Sequence, residues 1–342
     1  MDVKSGRVLY KKNENVINSI ASTTKIMTAI VAIENGDLKS PVKISKRAAN
    51  IGGSTIDLKT SETLTLRELL YGMLLASGND AAIAVAEHIG GSVDGFVTMM
   101  NQKAEDLGLK STGFRNPHGL DADGHHSTAY ELACLAKYAL SNPVFSEIVK
   151  TSKANIPSRF LHNTNNLLDS YPGADGVKTG YTGKAGRCLV ASATKGDLRI
   201  ISVVLNCQTI DKRTKSSTSI LNYVFHNYTP RKLLDKHKIF KTLEVSKGRQ
   251  KYVSVVPVDE VAMPLTDNEF GVIKTEVALP EGIKSPVAAN IEIGEVKYTV
   301  NGMVVGSSAL KTAVEVSRKD MIDYGLQLLK EWYRVVMQPR QL

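Results

Sequence analysis

The stretch SIASTTKIMTAIV, residues Ser19 to Val31, places a lysine inside an apolar run. Lys25 follows Ser22 by three positions, and most of the residues after it are apolar. A charged amine on a segment that enters a protein core costs free energy unless something uses it. On a helix, residues three apart share a face, so this amine can approach the serine hydroxyl. The stretch therefore predicts a buried helix that carries a Ser–Lys pair.

Such a pair can perform nucleophilic chemistry. A serine hydroxyl is a weak nucleophile until a neighbouring base takes its proton. Lysine serves as that base only when burial or nearby positive charge lowers its pKa. The S-x-x-K pattern is nevertheless common, and most examples are an exposed serine beside a solvated lysine.

Two further motifs make the pattern more specific. Ser77-Gly78-Asn79 joins two helical stretches within residues 67–91, and Lys178-Thr179-Gly180 precedes a predicted β-hairpin over 186–206. Taken singly, the first fits an ordinary glycine turn and the second fits a strand edge with a solvated lysine. Together and in this order, S-x-x-K, S-x-N and K-T-G form the signature of penicillin-binding proteins and class A β-lactamases.

The rest of the chain divides by its patterning. Apolar spacing predicts helices over residues 93–109, 128–140 and 216–228. Short apolar runs separated by Gly, Pro, Asn and Asp over about 235–316 predict a small all-β domain.

The tail carries an apolar helical stripe formed by Ile322, Leu326, Leu329, Tyr333 and Val336, with Trp332 beside it. This pattern fits a helix docked on its own domain as well as a helix lying on a membrane surface.

Composition excludes several classes of protein. The 342 residues carry a net charge of +9, but their basic residues are scattered and form no nucleic-acid signature. Three cysteines are too few for a disulfide framework or a zinc site. The sequence contains neither an apolar run long enough to span a membrane nor an apolar leader at its start.

With its three motifs in order, the chain resembles the serine-type D-alanyl-D-alanine carboxypeptidases, the low-molecular-mass penicillin-binding proteins of bacteria. The resemblance extends through SGRVLYKKN, NPHGLDADGHHST and DGVKTGYTGKAGRCLVASA to the tail. It implies an α+β fold whose β-lactamase/transpeptidase-like catalytic domain, an antiparallel sheet with helices, spans residues 1–228. A β-rich domain over 229–317 and an amphipathic membrane-surface helix over 318–342 would follow.

The resemblance also implies roles for individual residues. Ser22 would attack the substrate carbonyl and Lys25 would be its base, while Ser77 and Asn79 would complete the proton-transfer and substrate-orienting wall. Lys178 would bias the electrostatics of the cleft.

The remaining residues would bind substrate. Thr179 and Gly180 would hold its backbone, and the N–H groups of Ser22 and Tyr181 would form the oxyanion hole. Arg213, twelve residues before Phe225, stands where the family carries a carboxylate-binding arginine; a solvated arginine at a helix start is the alternative.

The loop NPHGLDADGHHST also offers candidate metal ligands, namely His118, Asp121, Asp123, His125 and His126. Their spacing fits neither a zinc-protease motif nor an EF-hand loop. The resemblance makes this a structural loop near the cleft. We therefore expect no metal and no cofactor.

The expected substrate is a peptidoglycan stem peptide ending in D-Ala-D-Ala, with β-lactams as covalent inhibitors. The enzyme would act at the outer face of the bacterial cytoplasmic membrane, held to its anionic surface by the C-terminal helix. The family carries a cleavable signal and a first strand before MDVKSG, and neither is present in the sequence as given.

Three alternatives use the same motifs. They are a β-lactamase, a non-hydrolytic β-lactam sensor and an endopeptidase that cuts cross-links. The middle motif is S-G-N rather than S-D-N, and no glutamate stands where class A β-lactamases place their deacylating base. Both departures favour a carboxypeptidase over an efficient β-lactamase. Against the sensor, the sequence shows no transmembrane segment and no recognisable output domain.

Overall fold

The computed structural model describes residues 1–337, which form two compact units, Met1–Asn227 and a second that begins at Tyr228. The helices of the first unit are α1 (Lys25–Asn35), α2 (Lys46–Ala49), α3 (Leu66–Leu75), α4 (Asn79–Gly90), α5 (Val93–Asp106), α6 (Ala129–Leu140), α7 (Pro143–Lys150), α8 (Leu167–Ser170) and α9 (Ile210–Asn227). Its strands are β1 (Pro41–Lys43), β2 (Thr63–Thr65), β3 (Lys153–Ile156), β4 (Arg159–His162), β5 (Ala174–Thr182), β6 (Gly186–Lys195) and β7 (Leu198–Cys207).

Helix α1 lies at the centre of the first unit. Every residue from Lys25 to Ala32 is buried, as expected for a helix that is apolar on most of its circumference. It packs against α3, α4, α5, α6 and α7. A 3₁₀ turn, Ala21–Thr24, precedes it and contains Ser22.

An antiparallel sheet in the order β5-β6-β7 forms the other half of this unit. Strand β5 lies at one edge, and Val177 to Gly180 are buried within it. The 3₁₀ turn packs against β5 and β6. The turn that contains Ser22 and the strand that contains the K-T-G motif therefore lie side by side.

The second unit contains β8 (Thr229–Leu234), β9 (Lys241–Ser246), β10 (Tyr252–Pro257), β11 (Val261–Leu265), β12 (Lys274–Ala278), β13 (Gly282–Lys284), β14 (Glu292–Val300) and β15 (Met303–Thr312), with the short α10 (Asp267–Gly271). Six strands form one sheet in the order β12-β14-β15-β10-β9-β13, and β8 pairs with β11. This agrees with the predicted all-β character of the region.

Helix α11 (Met321–Met337) ends the described chain, and none of its residues is buried. Within residues 1–337, no helix is both long and apolar enough to cross a membrane. The boundaries predicted at 228/229 and 317/318 remain a prediction, as does the amphipathic role of the tail, whose residues 338–342 lie outside the described part.

Candidate active site

The 3₁₀ turn Ala21–Thr24 and the start of α1 bring Ser22 and Lys25 together. Lys25 is the first residue of α1, and its Nζ lies 3.0 Å from Ser22 Oγ. Ser22 is partly exposed, whereas Lys25 is completely buried. The serine therefore faces the cleft while its lysine partner lies beneath it.

Two other acceptors complete the surroundings of the amine. Lys25 Nζ donates to Asn79 Oδ1 at 2.7 Å and to the carbonyl oxygen of His118 at 2.8 Å. Burial, and after it the positive charge of Lys178, hold the pKa of Lys25 well below its ordinary value, while Asp80 opposes this shift. A lowered pKa favours the neutral form of the lysine, and only the neutral amine can accept a proton from serine.

The S-G-N motif enters this site from the junction of α3 and α4. Ser77 is buried and has φ +64°, a left-handed conformation that is uncommon for a residue with a side chain. Asn79 begins α4, and its Nδ2 donates to the carbonyl of Gly52 at 2.8 Å, which fixes the amide that bonds Lys25. Within residues 1–337, no hydrogen bond joins Ser77 to Ser22 or Lys25.

The K-T-G motif occupies the middle of β5. Lys178 is buried, and its Nζ has no hydrogen-bond partner in the described chain. Burial, followed by the charge of Arg213, lowers its pKa to about 7. The Thr179 hydroxyl lies 2.6 Å from that of Thr164. Tyr181 is exposed and has the Arg187 guanidinium 3.5 Å above its ring.

Two glycines allow the backbone to approach the 3₁₀ turn of Ser22 closely. A Cβ at Gly180 would lie 3.0 Å from both Ser22 N and the carbonyl oxygen of Ile20. A Cβ at Gly119, which has φ +92°, would lie 2.0 Å from the carbonyl oxygen of Ala21. Any larger residue at either position would push against the turn.

Arg213 lies in the first turn of α9 and is only 5% exposed, so the solvated alternative does not describe it. Its Nε has no partner among residues 1–337. Burial, and then the nearby Arg187, lower its pKa. The charge of Arg213 lowers the pKa of Lys178, and the charge of Lys178 lowers the pKa of Lys25. The three basic residues therefore belong to one electrostatic site.

The loop of His118 and His125 supports the turn from the other side. Both ring nitrogens of His125 have partners, Nε2 with Thr24 Oγ1 at 2.7 Å and Nδ1 with the N–H of Arg115 at 3.1 Å. In the described chain, no group of three or more His, Cys, Asp or Glu side chains is placed to hold a metal ion. The two hydrogen bonds of His125 connect this loop to the turn that contains Ser22.

Sequence reasoning missed three contributors to this site. Asp80 accepts hydrogen bonds from the N–H groups of Ile56, Leu58 and Ala81; an acidic residue at a predicted helix start was the available signal. The Thr164 hydroxyl and the Thr24–His125 bond depend on long-range folding, and no local pattern indicates them.

A groove of about 920 Å³ lies elsewhere in the first unit, against β7 and beside Tyr10, Tyr130 and Tyr223. None of the site residues predicted from the sequence lines it. The candidate site is therefore identified by its side-chain chemistry and not by cavity size.

Comparisons with families and curated proteins cover both units. Residues 1–209 match the family model described as D-alanyl-D-alanine carboxypeptidase, and residues 228–318 match the C-terminal domain of penicillin-binding protein 5. The chain is similar to D-alanyl-D-alanine carboxypeptidase DacF of Bacillus subtilis, at 37% identity over 96% of this chain and 87% of the relative. It is also similar to DacA of Escherichia coli, at 32% identity over 97% and 87%.

Solved structures agree with these matches. Penicillin binding protein 5 from Haemophilus influenzae superposes with a TM-score of 0.83 at 30% identity, covering 93% of this chain and 96% of that one. The S216A mutant of the Streptomyces K15 DD-transpeptidase gives a TM-score of 0.64 at 36% identity, covering 66% of this chain and 95% of that one. The predicted combination of an α+β catalytic domain and a β-rich domain is confirmed.

Proposed function

Since the chain belongs to the D-alanyl-D-alanine carboxypeptidase family, we propose that it removes the terminal D-alanine of peptidoglycan stem peptides through an acyl-enzyme on Ser22. The observation that carries this mechanism is the buried Lys25 amine, 3.0 Å from Ser22 Oγ and with its pKa held low. A neutral amine in that position is a base for the serine.

The reaction balances on these groups. Neutral Lys25 takes the proton of Ser22 Oγ as the oxygen bonds to the carbonyl carbon of the penultimate D-alanine. The bond from that carbon to nitrogen then breaks, and the leaving D-alanine nitrogen takes, through Ser77, the proton that Lys25 accepted. Water attacks the ester carbon and gives a proton to Lys25. The bond from that carbon to Ser22 Oγ breaks, Ser22 takes the proton from Lys25, and the shortened peptide leaves with a free carboxyl group.

Substrate binding uses the other cations and strand β5. The terminal carboxylate of the substrate pairs with Arg213 and is attracted by the charge of Lys178. Both residues are buried and have no carboxylate partner among residues 1–337. Arginine suits a carboxylate because its planar fork can donate two parallel hydrogen bonds. Asn79, together with Thr179 and Gly180, orients the peptide backbone.

The N–H groups of Ser22 and Tyr181 form the oxyanion hole. The close approach of Gly180 to Ser22 N supports this arrangement, since it places β5 beside the nucleophile. Such donors are worth about 3–4 kcal/mol each when they face the developing negative charge.

β-Lactams acylate Ser22 in the same way, and the adduct persists. The experiment is labelling of the wild type, Ser22→Ala and Lys25→Ala with a fluorescent penicillin, in parallel with release of D-alanine from a D-Ala-D-Ala peptide. We expect label and release in the wild type and neither in Ser22→Ala. Labelling that survives Ser22→Ala would refute the mechanism.

The same assay separates the alternatives. Rapid loss of the label with turnover of penicillin indicates a β-lactamase, and stable label without D-alanine release indicates a sensor. Cleavage of cross-linked dimers faster than of monomeric peptides indicates an endopeptidase.

We propose further that the enzyme works at the outer face of the cytoplasmic membrane and that α11 binds its anionic surface. Apolar side chains on this helix are well exposed, among them Ile322 at 72%, Leu329 at 62% and Trp332 at 64%. A helix in the interface gains from burying such side chains and from attraction between basic residues and anionic lipid.

Sedimentation with liposomes tests this membrane role. We expect the full chain to bind phosphatidylglycerol vesicles better than phosphatidylcholine vesicles, and residues 1–317 to bind neither. Leu329→Glu should weaken binding more than Gln327→Glu, the control that introduces the same charge nearby without removing an apolar side chain. Equal binding by the full and shortened chains would exclude the anchor.

A further inference from the structure

The residue before the nucleophile has an unfavourable backbone conformation. Ala21 has φ +47°, in the left-handed region, which costs a residue with a Cβ about 1–2 kcal/mol. Such a conformation persists only where the surrounding structure holds it. The contacts of the Ala21 carbonyl show what holds it.

A chain of two hydrogen bonds ends on that carbonyl. Thr24 Oγ1 donates to the carbonyl oxygen of Ala21 at 2.8 Å, and His125 Nε2 lies 2.7 Å from the same hydroxyl. His125 Nδ1 accepts from the N–H of Arg115 at 3.1 Å, so in the neutral ring the proton is on Nε2. His125 therefore donates to Thr24, and Thr24 donates to Ala21.

The histidine is suited to a fixed, neutral role. Its ring is buried with Phe114 edge-on at 5.8 Å. Burial, and then the charge of His126, lower its pKa to about 4. At neutral pH the ring therefore has one proton, and the direction of the chain is set.

This pair of hydrogen bonds also fixes the direction in which the Ser22 N–H points. The Ala21–Ser22 peptide is planar and its C=O and N–H point in opposite directions, so holding the oxygen on one side aims the hydrogen to the other. The Ser22 N–H has no acceptor among residues 1–337, and its nitrogen lies beside Gly180 of β5. This is the donor that the proposed mechanism assigns to the oxyanion hole.

We infer that Thr24 and His125 are positioning residues, which orient the Ala21–Ser22 peptide so that its N–H faces the oxyanion. The inference rests on the proposed function of Ser22 and adds two residues to it. Neither residue touches substrate; each acts through the peptide group.

The test compares two buried threonines of the same helical region. Thr24→Val removes the hydroxyl that holds Ala21. Thr28→Val is the matched control, because Thr28 Oγ1 bonds the carbonyl of Pro117 in the same loop at 2.6 Å and does not contact Ala21. Thr24→Ser keeps the hydroxyl and should restore function. The measurements are the penicillin acylation rate, the affinity for a peptide boronic acid that forms a tetrahedral adduct, and the melting temperature.

We expect Thr24→Val to lower the acylation rate about tenfold or more and to weaken boronate binding by a similar factor, as loss of an aimed oxyanion donor does. Thr28→Val should lose similar thermal stability and acylate within about twofold of the wild type. Thr24→Ser should approach the wild type.

Two results would overturn the inference: wild-type acylation by Thr24→Val, or an equal loss in Thr24→Val and Thr28→Val. If Thr24→Val does not fold, His125→Leu takes its place, and wild-type acylation by that variant counts against the inference equally. Ser22→Ala is measured alongside, since label on that variant contradicts the proposed function itself rather than the positioning role.

Discussion

At the scale of single residues, Lys178 has a pKa close to neutral pH. Its pKa of about 7 comes from burial and from Arg213. Below that pH the amine is charged and, in the proposed mechanism, attracts the substrate carboxylate; above it, the charge is lost in the free enzyme. The proposed mechanism requires the opposite of Lys25, because only its neutral form can take the serine proton.

We predict that kcat/KM for a D-Ala-D-Ala peptide falls as the pH rises above about 7, since kcat/KM reports the free enzyme. In Lys178→Arg, the guanidinium stays charged and this alkaline limb should move to higher pH. The pH profiles of both proteins check this. An identical limb in the two would assign it to another group.

At the scale of secondary-structure elements, Asp80 joins the start of α4 to the segment before β2. Its buried carboxylate accepts hydrogen bonds from three backbone N–H groups, those of Ile56, Leu58 and Ala81. Removing a buried acceptor leaves these donors unsatisfied.

We expect Asp80→Ala to lower the free energy of unfolding by about 2 kcal/mol or more. Asp94→Ala, at the exposed first turn of α5, should change it by less than about 0.5 kcal/mol. Urea denaturation measures both. Equal effects would show that the three bonds of Asp80 contribute little.

The contact between β5 and the 3₁₀ turn gives a second prediction at this scale. Gly180→Ala would place a Cβ 3.0 Å from Ser22 N and displace the turn, so acylation should slow by about tenfold to a hundredfold. Gly183→Ala is the control, because nothing lies within 4 Å of its added Cβ. Acylation rates that are equal in both variants would contradict the close-packing argument.

Elements were predictable from the sequence where periodicity is local and apolar. The S-G-N junction and the hairpin of β6 and β7 lie close to where spacing predicts them. Helix α9 begins at Ile210, six residues before the predicted start at 216. The prediction missed its first turns because the first buried residues of the helix, Arg213 and Ser217, are polar. Hydrophobic periodicity cannot detect a stripe whose first members are polar.

The candidate site shows the same division. The Ser22–Lys25 contact spans three positions, and helical spacing predicts it. The bonds from Lys25 to Asn79 and from Thr24 to His125 span 54 and 101 positions. Motif order indicated the first of these, whereas no sequence pattern indicates the second.

At the scale of the whole molecule, each unit has a hydrophobic core of its own. The S216A mutant of the Streptomyces K15 DD-transpeptidase matches 66% of this chain with 95% of its own length. A protein of about the size of the first unit therefore exists with this fold.

We predict that residues 1–227 alone fold and are acylated by fluorescent penicillin within about threefold of the full-chain rate, since the site residues and their core belong to one cooperative unit. Labelling kinetics and a melting curve check this. A folded fragment that reacts far more slowly would assign a catalytic contribution to the second unit.

The unpaired Lys178 and Arg213 have a consequence for the lifetime of the protein in the cell. Burying two cations without a described counter-charge lowers stability, and a bound carboxylate that pairs them returns part of that loss. Proteases degrade the opened chain, whose population falls as stability rises. In the proposed function, a β-lactam that acylates Ser22 leaves its carboxylate in the site. Acylated, inactive enzyme would then be degraded more slowly than free, active enzyme. Antibiotic exposure would then enrich the cell envelope in inactive enzyme.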